Sequence, residues 1–295
     1  MSLTSSPDLQ STPASYILTV SCPDRVGIVA AVAGALAESG LFITDSHHFG
    51  DPGTRNFFMR TAFEAANPDF NQSAFTKVFE PIAARFGMRW AMHDCALRPS
   101  ALILVSKSEH CLNDLLYRHR TGALPVHIPA IVSNHMNLAP LAEWHKIPFL
   151  HVPAGKTGKL EAEARLRDII AQTKADFVVL ARYMQILSQE ICAELEGKAI
   201  NIHHSFLPSF KGAQPYQQAH KRGVKLIGAT AHFVTPDLDE GPIIEQMVER
   251  IDHSYTAEAM AAAGRDMESL VLARAVRWLA EQRVFLNGNK TVVFR

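Results

Sequence analysis

The sequence predicts an α/β protein in two parts. A ferredoxin-like βαββαβ block spans residues 15–98, and a doubly wound, mostly parallel sheet spans 99–295. Three observations carry this reading. In the first hundred residues, β-rich and amphipathic helical segments alternate in the order βαββαβ. Beyond residue 100 the strands become short, unbroken apolar runs separated by helical stretches, the pattern of parallel strands buried on both faces. Between the two parts, Arg98-Pro99-Ser100 has the composition of a linker.

The elements of the first block follow in order. Residues 1–14 are polar and rich in Ser, Thr and Pro, and read as a disordered lead-in. Tyr16 to Val20 is β-rich. Asp24 is placed to cap a helix with Ile28, Val32 and Leu36 on one face and Gly40 at its end. Phe42 to Phe49 is a strand, Asp51-Pro52-Gly53 a turn, and Asn56 to Phe63 the returning strand. A helix over 73–86 carries Phe75, Phe79, Ile82 and Phe86 on its apolar face, and Met88 to Leu97 completes the block as a fourth strand.

In the second part, apolar runs at Ala101 to Val105, Val126 to Val132, Phe177 to Leu180 and Ala199 to Ile202 read as strands. Helical stretches fall at 109–119 and 160–174, and a long helix at Thr256 to Glu281. Arg283 to Phe294 reads as a terminal hairpin turning at Asn287-Gly288.

Composition narrows the function classes. Of 295 residues, 47% are apolar and 20% charged, and Lys+Arg and Asp+Glu both number 29. A zero net charge argues against a nucleic-acid partner, whose grip depends on neutralised phosphates. The four cysteines, Cys22, Cys95, Cys111 and Cys192, form no CxxC pair, so neither a disulfide framework nor a structural zinc site is expected. The N-terminus lacks the apolar stretch of a signal peptide, and no apolar run has the length of a membrane span. A cytoplasmic protein without a membrane partner is expected.

Three segments carry candidate chemistry. In Asn201-Ile202-His203, alternate residues of a strand project Asn201 and His203 to one side at its carboxyl end, where open α/β sheets place ligands. His204-Ser205-Phe206-Leu207-Pro208-Ser209-Phe210-Lys211-Gly212-Ala213 follows as a loop. The second segment, His232-Phe233-Val234-Thr235-Pro236-Asp237-Leu238-Asp239-Glu240-Gly241-Pro242, is an acidic loop between apolar strands. The third, Leu180-Ala181-Arg182-Tyr183-Met184-Gln185-Ile186-Leu187, is a strand end entering a helix. Taken singly, each could be an ordinary strand end or solvated turn. His203 and His204 are neighbours on a strand, so they should face opposite ways and make a poor chelating pair; no metal is expected.

Taken together, the segments resemble the formyltransferase-fold family that uses 10-formyltetrahydrofolate. There, Asn-x-His leads into His-Ser-x-Leu-Pro-x-[Phe/Tyr]-x-Gly, and an Asp sits in a Val-Thr-x-x-x-Asp-x-Gly-Pro loop. The resemblance covers about residues 100 to 280 and implies Asn201, His203 and Asp239 as the catalytic set, with His204, Ser205 and His232 in support. It also implies that Met184, Gln185, Ile186 and Leu187, with Val234, Thr235, Pro236 and Gly241, hold the folate. The residue types suit attack on a formyl carbon: an Asn N–H and a protonated His can stabilise an oxyanion. A carboxylate beside the His favours its charged form and can position water. The folate is the substrate, and no cofactor is implied.

The acceptor is then glycinamide ribonucleotide, a charged tRNA, or water. A nucleotide acceptor would need a Gly-rich loop for its phosphate. The segment after the first strand, Ser106-Lys107-Ser108-Glu109-His110-Cys111-Leu112, has no glycine and resembles the Ser-Lys-x-x-His-Cys-Leu of formyltetrahydrofolate deformylases. Ser21-Cys22-Pro23-Asp24-Arg25-Val26-Gly27-Ile28-Val29 resembles the first turn of ACT domains, which commonly bind amino acids and pair with copies of themselves. That resemblance implies an ACT-like regulatory and oligomerisation domain over 15–98, an amino-acid effector held near Asp24, Arg25, Val26 and Gly27, and a homo-oligomer. The implied reaction is hydrolysis of 10-formyltetrahydrofolate. Formyl transfer to an amine acceptor and a non-catalytic amino-acid-binding regulator stand as the alternatives.

Overall fold

The computed structural model describes residues 13–65, 70–153, 158–207 and 215–295. Most of the lead-in and the Pro208 to Ala213 stretch of the candidate motif lie outside them. The chain forms two compact units, one up to Leu97 and one from Arg98 through Val293.

The first unit is an antiparallel sheet under two helices. Its elements are β1 (Ala14–Pro23), α1 (Ile28–Glu38), β2 (Leu41–Asp51), β3 (Asn56–Ala65), α2 (Gln72–Phe86) and β4 (Arg89–Asp94). The strand order β2-β3-β1-β4 gives the ferredoxin-like arrangement. Alternate residues of β1 (Tyr16, Leu18, Val20, Cys22) meet Phe57, Met59 and Phe63 of β3 and the helix faces of Val32, Leu36, Phe75 and Phe79. Burial of these side chains, each worth roughly 1.5–3 kcal/mol, holds the layers together. Two expectations are corrected. Asp24 does not cap α1: Gly27 does, at φ 95, with no side-chain cap. The chain turns late because glycine reaches the left-handed conformation without a Cβ penalty. Strand β4 also stops at Asp94, whose carboxylate accepts the Ala96 N–H at 2.8 Å in a turn.

The second unit holds a seven-stranded sheet in the order β11-β10-β9-β8-β5-β6-β7. Its strands are β5 (Ala101–Val105), β6 (Ile131–Ser133), β7 (Phe149–His151), β8 (Phe177–Leu180), β9 (Ala199–His203), β10 (Leu226–Phe233) and β11 (Ile243–Arg250). The five from β7 to β9 run parallel, and β10 is antiparallel to both β9 and β11. Among the helices are α3 (His110–Arg120), α4 (Ala139–Trp144), α5 (Lys159–Thr173), α6 (Gln189–Glu194), α7 (Pro215–Arg222) and α8 (Ala257–Ala280). The terminal hairpin is β12 (Val284–Asn287) with β13 (Lys290–Val293), and Gly288 takes the left-handed φ of 62 in its turn.

The apolar run from Val126 to Val132 is mostly not strand. Only Ile131–Ser133 forms strand, with an isolated parallel bridge from His127 to Ser100, and Pro129 between them has no N–H to donate. Val126, Ile128 and Ala130 are nevertheless buried, so burial rather than pairing explains their composition. β5 pairs with β6 on one side and β8 on the other. The first strand of the unit thus lies where the winding reverses, and the carboxyl ends of β5, β8 and β9 open onto the crevice where such sheets bind ligands.

Candidate active site

Strand β9 presents Asn201 and His203, two residues apart, to a cleft of ≈ 320 Å³ at its carboxyl end. His203 is 5% exposed, and its Nδ1 lies 3.1 Å from Asp239 Oδ1. An ionised carboxylate only accepts, so Nδ1 carries the hydrogen in this pair. His203 Nε2 is buried and has no hydrogen-bond partner among the described residues. Buried ring nitrogens are rarely left so, and this one faces the cleft as a candidate contact for a ligand.

Asp239 reaches His203 from a residue at φ 58, a left-handed conformation uncommon outside glycine. Such strain persists only where the surroundings over-determine it, and it clusters at functional sites. The loop is fixed around it. Thr235 Oγ1 donates to the Asp237 carbonyl at 2.9 Å, and Gly241 lies so close to the Phe233 carbonyl that any Cβ would overlap it. Burial alone would push the Asp239 carboxyl up, but the hydrogen bond from His203 and the nearby His232 outweigh it and hold it well below the usual carboxylate range.

His232 orients the third member. Its Nδ1 lies 2.8 Å from the Phe233 carbonyl, which can only accept, so Nδ1 carries a hydrogen, and Nε2 lies 3.4 Å from Asn201 Nδ2. His232 Nε2 also stands 3.6 Å from Asp239 Oδ1. Asn201, His203, His232 and Asp239 therefore form one constellation.

The cleft's walls are largely apolar and loop-built. Met184, Gln185, Ile186 and Leu187 form one side, and Val234, Thr235, Pro236 and Leu238 the other. Met184 and Ile186 are 59% and 64% exposed, apolar side chains that a planar ligand would cover. The 184–187 loop is pinned at both ends. Met184 N–H donates to Ser106 Oγ at 2.9 Å, and Ser188 N–H donates to Glu163 Oε1 at 2.7 Å.

Two residues read as site members from sequence do not line the cleft. Gly241 acts through its missing side chain, as above. Ser205 is buried behind, where its carbonyl accepts from Thr230 Oγ1 at 3.0 Å. His204 does line it, against the alternation argument: β9 ends at His203, so the next residue is no longer bound by strand geometry, and the two rings lie 5.1 Å apart. Burial, with Arg182 and His203 nearby, lowers the His204 pKa to about 4, so the ring is neutral near pH 7.

Sequence reasoning missed Arg182, Tyr183 and Cys192 in the lining and Glu268 behind it. Glu268 did leave a signal: it is a charge at the i, i+4, i+8 spacing of Gly264 and Leu272 on the buried stripe of α8. His110, Cys111 and Glu268 bring possible metal-ligand atoms within 4.8 Å of one another. They fit a cation poorly. Arg182 Nε already stands 3.3 Å from Glu268, and burial pushes the Cys111 thiol far up, away from the thiolate that metals need.

Comparison with known proteins places the whole chain. A family model described as Formyl transferase matches residues 100–276. The formyltetrahydrofolate deformylase of Corynebacterium sp. (strain P-1) is 48% identical over 280 residues, covering 95% of this chain and 98% of its own. The crystal structure of formyltetrahydrofolate deformylase from Burkholderia mallei superposes with a TM-score of 0.92 at 55% identity, covering 96% of this chain and 100% of that one. The phosphoribosylglycinamide formyltransferase of Coxiella burnetii matches with a TM-score of 0.63 at 26% identity, covering 67% of this chain and 94% of its own.

Proposed function

Since the chain belongs to the formyltetrahydrofolate deformylase family, we propose that it hydrolyses 10-formyltetrahydrofolate to formate and tetrahydrofolate. The observation that carries this reading is His203 Nε2, buried without a partner among the described residues at the head of an apolar slot, with a carboxylate on the opposite ring nitrogen. The folate ring system enters between the 184–187 loop and Val234 to Pro236. The formyl oxygen then meets Asn201 Nδ2 and protonated His203 Nε2, donors aimed where the oxyanion develops. Asp239 supports the imidazolium and orients the attacking water. A C–O bond forms, the C–N10 bond breaks, and the proton lost by water reaches N10 through the same groups.

No metal or cofactor enters this scheme, and activity should survive a chelator. The physiological role is to supply formate for purine synthesis and to balance folate pools, in the cytoplasm. Among the described residues, no helix is long and apolar enough to cross a membrane. The first unit acts as the ACT-like regulatory and pairing module. The backbone at Asp24 to Gly27, at the start of α1, would receive an amino-acid carboxylate; calorimetry that finds no amino-acid binding, or a monomer in sedimentation, would remove those assignments. The test of the reaction is formate release from 10-formyltetrahydrofolate with water as the sole acceptor. Negligible hydrolysis beside fast transfer to glycinamide ribonucleotide would make the chain a transferase.

A further inference from the structure

Behind the catalytic cleft, three polar side chains from separate elements converge on one buried carboxylate. Glu268 of α8, 1% exposed, accepts from Tyr216 Oη at 2.9 Å and lies 2.8 Å from His110 Nε2 and 3.3 Å from Arg182 Nε. Tyr216 comes from α7, His110 opens α3, and Arg182 follows β8 with a strained φ of 64. A carboxylate this deeply buried is tolerable because each partner supplies a hydrogen or a positive charge. Burial would raise its pKa, but His110 and Arg182 hold it lowered.

The cluster divides two spaces. Arg182 and His204 line the catalytic cleft, while His110 lines a second cleft of ≈ 510 Å³ together with Asp266 and Ser269 of α8. Tyr216 is seated hard against α8: a Cβ on Gly264 would collide with its hydroxyl. The Tyr216 ring stands edge-on to His204 at 6.4 Å, and His204 is next to His203. One side of His203 is thus the folate slot. The other is His204 with Tyr216 and Glu268 filling the volume behind it.

We propose that this Glu268-centred cluster is the acceptor-selecting wall of the site. It occupies the space through which an amine would reach the formyl carbon, so the formyl group passes to water. The inference rests on the hydrolytic reading above and explains why a fold shared with formyltransferases would hydrolyse instead. In both reactions the C–N10 bond breaks and N10 gains a proton. Hydrolysis forms a C–O bond from water; transfer forms a C–N bond from the amine, which loses the proton. Only the size of the nucleophile that can approach differs.

The experiment supplies 10-formyltetrahydrofolate and glycinamide to the full-length protein and measures formate and N-formylglycinamide by mass spectrometry. The product ratio does not depend on the fraction of enzyme that is active, so partial misfolding cannot imitate the effect. The wild type should give formate with no more than a trace of N-formylglycinamide. Tyr216→Ala, which empties the wall, should raise the formylated amine at least about tenfold above the wild-type trace, in proportion to glycinamide. Tyr216→Phe keeps the volume and should keep the wild-type ratio. If Tyr216→Ala does not fold, His110→Ala opens the wall from the second cleft and carries the same expectation. Variants that release formate at an unchanged ratio would overturn the proposal, as would Tyr216→Phe behaving like Tyr216→Ala. A wild type that yields no formate without glycinamide would instead refute the hydrolytic reading on which it rests.

Discussion

The Ser106 hydroxyl holds the 184–187 loop: it accepts the Met184 N–H at 2.9 Å while donating to Asn134 Oδ1 at 2.7 Å. Ser106 follows β5 and Asn134 follows β6, so a single buried oxygen ties two strand ends to the backbone that lines the cleft. Among the described residues, none of the three hydrogen-bonds to Asn201, His203 or Asp239. Ser106→Ala should therefore act on binding. One such hydrogen bond is worth about 1 kcal/mol net, or roughly fivefold in KM. Steady-state kinetics should show KM raised and kcat little changed; an equal fall in kcat at constant KM would refute the positioning role.

The proposed roles of Asn201, His203 and Asp239 predict a steeper loss. Removing a donor aimed at the oxyanion costs on the order of a hundredfold to a thousandfold in turnover. Asn201→Ala and His203→Ala should both fall in that range with KM nearly unchanged. Asp239→Asn keeps the shape but not the charge facing His203 Nδ1 at 3.1 Å, and should fall similarly. Near wild-type turnover in Asp239→Asn would remove that residue from the mechanism. His232→Ala should cost less, because His232 acts through Asn201 and Asp239.

Two shifted groups predict pH dependence in different windows. Asp239 is depressed in the folded state, so its pairing contributes fully above the ordinary carboxylate pKa of about 3.9 and is lost only as pH falls through its lower folded value. His204 is lowered to about 4, so between its unfolded value near 6.5 and 4 the unfolded chain binds the proton that the folded one refuses. Stability should thus decline from pH 6.5 toward 4, by up to about 3 kcal/mol from this group. Urea unfolding at pH 7.5 and 5 should show a smaller difference in His204→Gln than in the wild type. An identical difference would show that His204 is not the titrating group.

Gly241 offers a test of the Asp239 loop that leaves every polar side chain in place. A methyl there must displace the Phe233 carbonyl, which is also the acceptor for His232 Nδ1. Gly241→Ala should lower both the melting temperature and kcat, the latter at least tenfold if a displacement near 1 Å reaches the catalytic groups. Unchanged kinetics would mean that the loop can shift without moving Asp239.

What the sequence showed and hid has physical causes. Strand geometry puts Asn201 and His203 on one side, but only the resemblance of the three segments taken together singled them out, and picked Asp239 from a loop that also holds Asp237 and Glu240. His204 was misread because alternation ends where the strand ends. Glu268 and Tyr216 were invisible as partners because they are 52 residues apart and meet only when α7 packs on α8. Val126 to Val132 passed for a strand because burial and strand pairing select the same apolar residues, while the single Pro129 that interrupts pairing weighs little in a composition. The cap of α1 was misplaced because an acidic residue and a glycine, three positions apart, are both acceptable helix starts.

The division of the chain predicts that residues 99–295 keep the chemistry without regulation. Asn201, His203, Asp239 and every residue lining the cleft lie beyond Leu97, where the first compact unit ends. The second unit has its own core on both faces of the sheet: Leu112, Leu115, Val179, Ile200, Ala229, Val271 and Leu272 pack into one buried cluster with α3 and α8, and Leu102, Leu104, Val178, Leu180, Leu166 and Ile169 into another on the opposite face. That is enough length and apolar burial for independent folding. Expressed alone and compared per folded site, the fragment should hydrolyse 10-formyltetrahydrofolate at a rate near that of the full chain. It should also ignore any amino acid that alters the full chain's rate. A fragment that folds cooperatively and binds folate but releases no formate would show that the first unit completes the catalytic site, and the assignment of chemistry to one unit and control to the other would be abandoned.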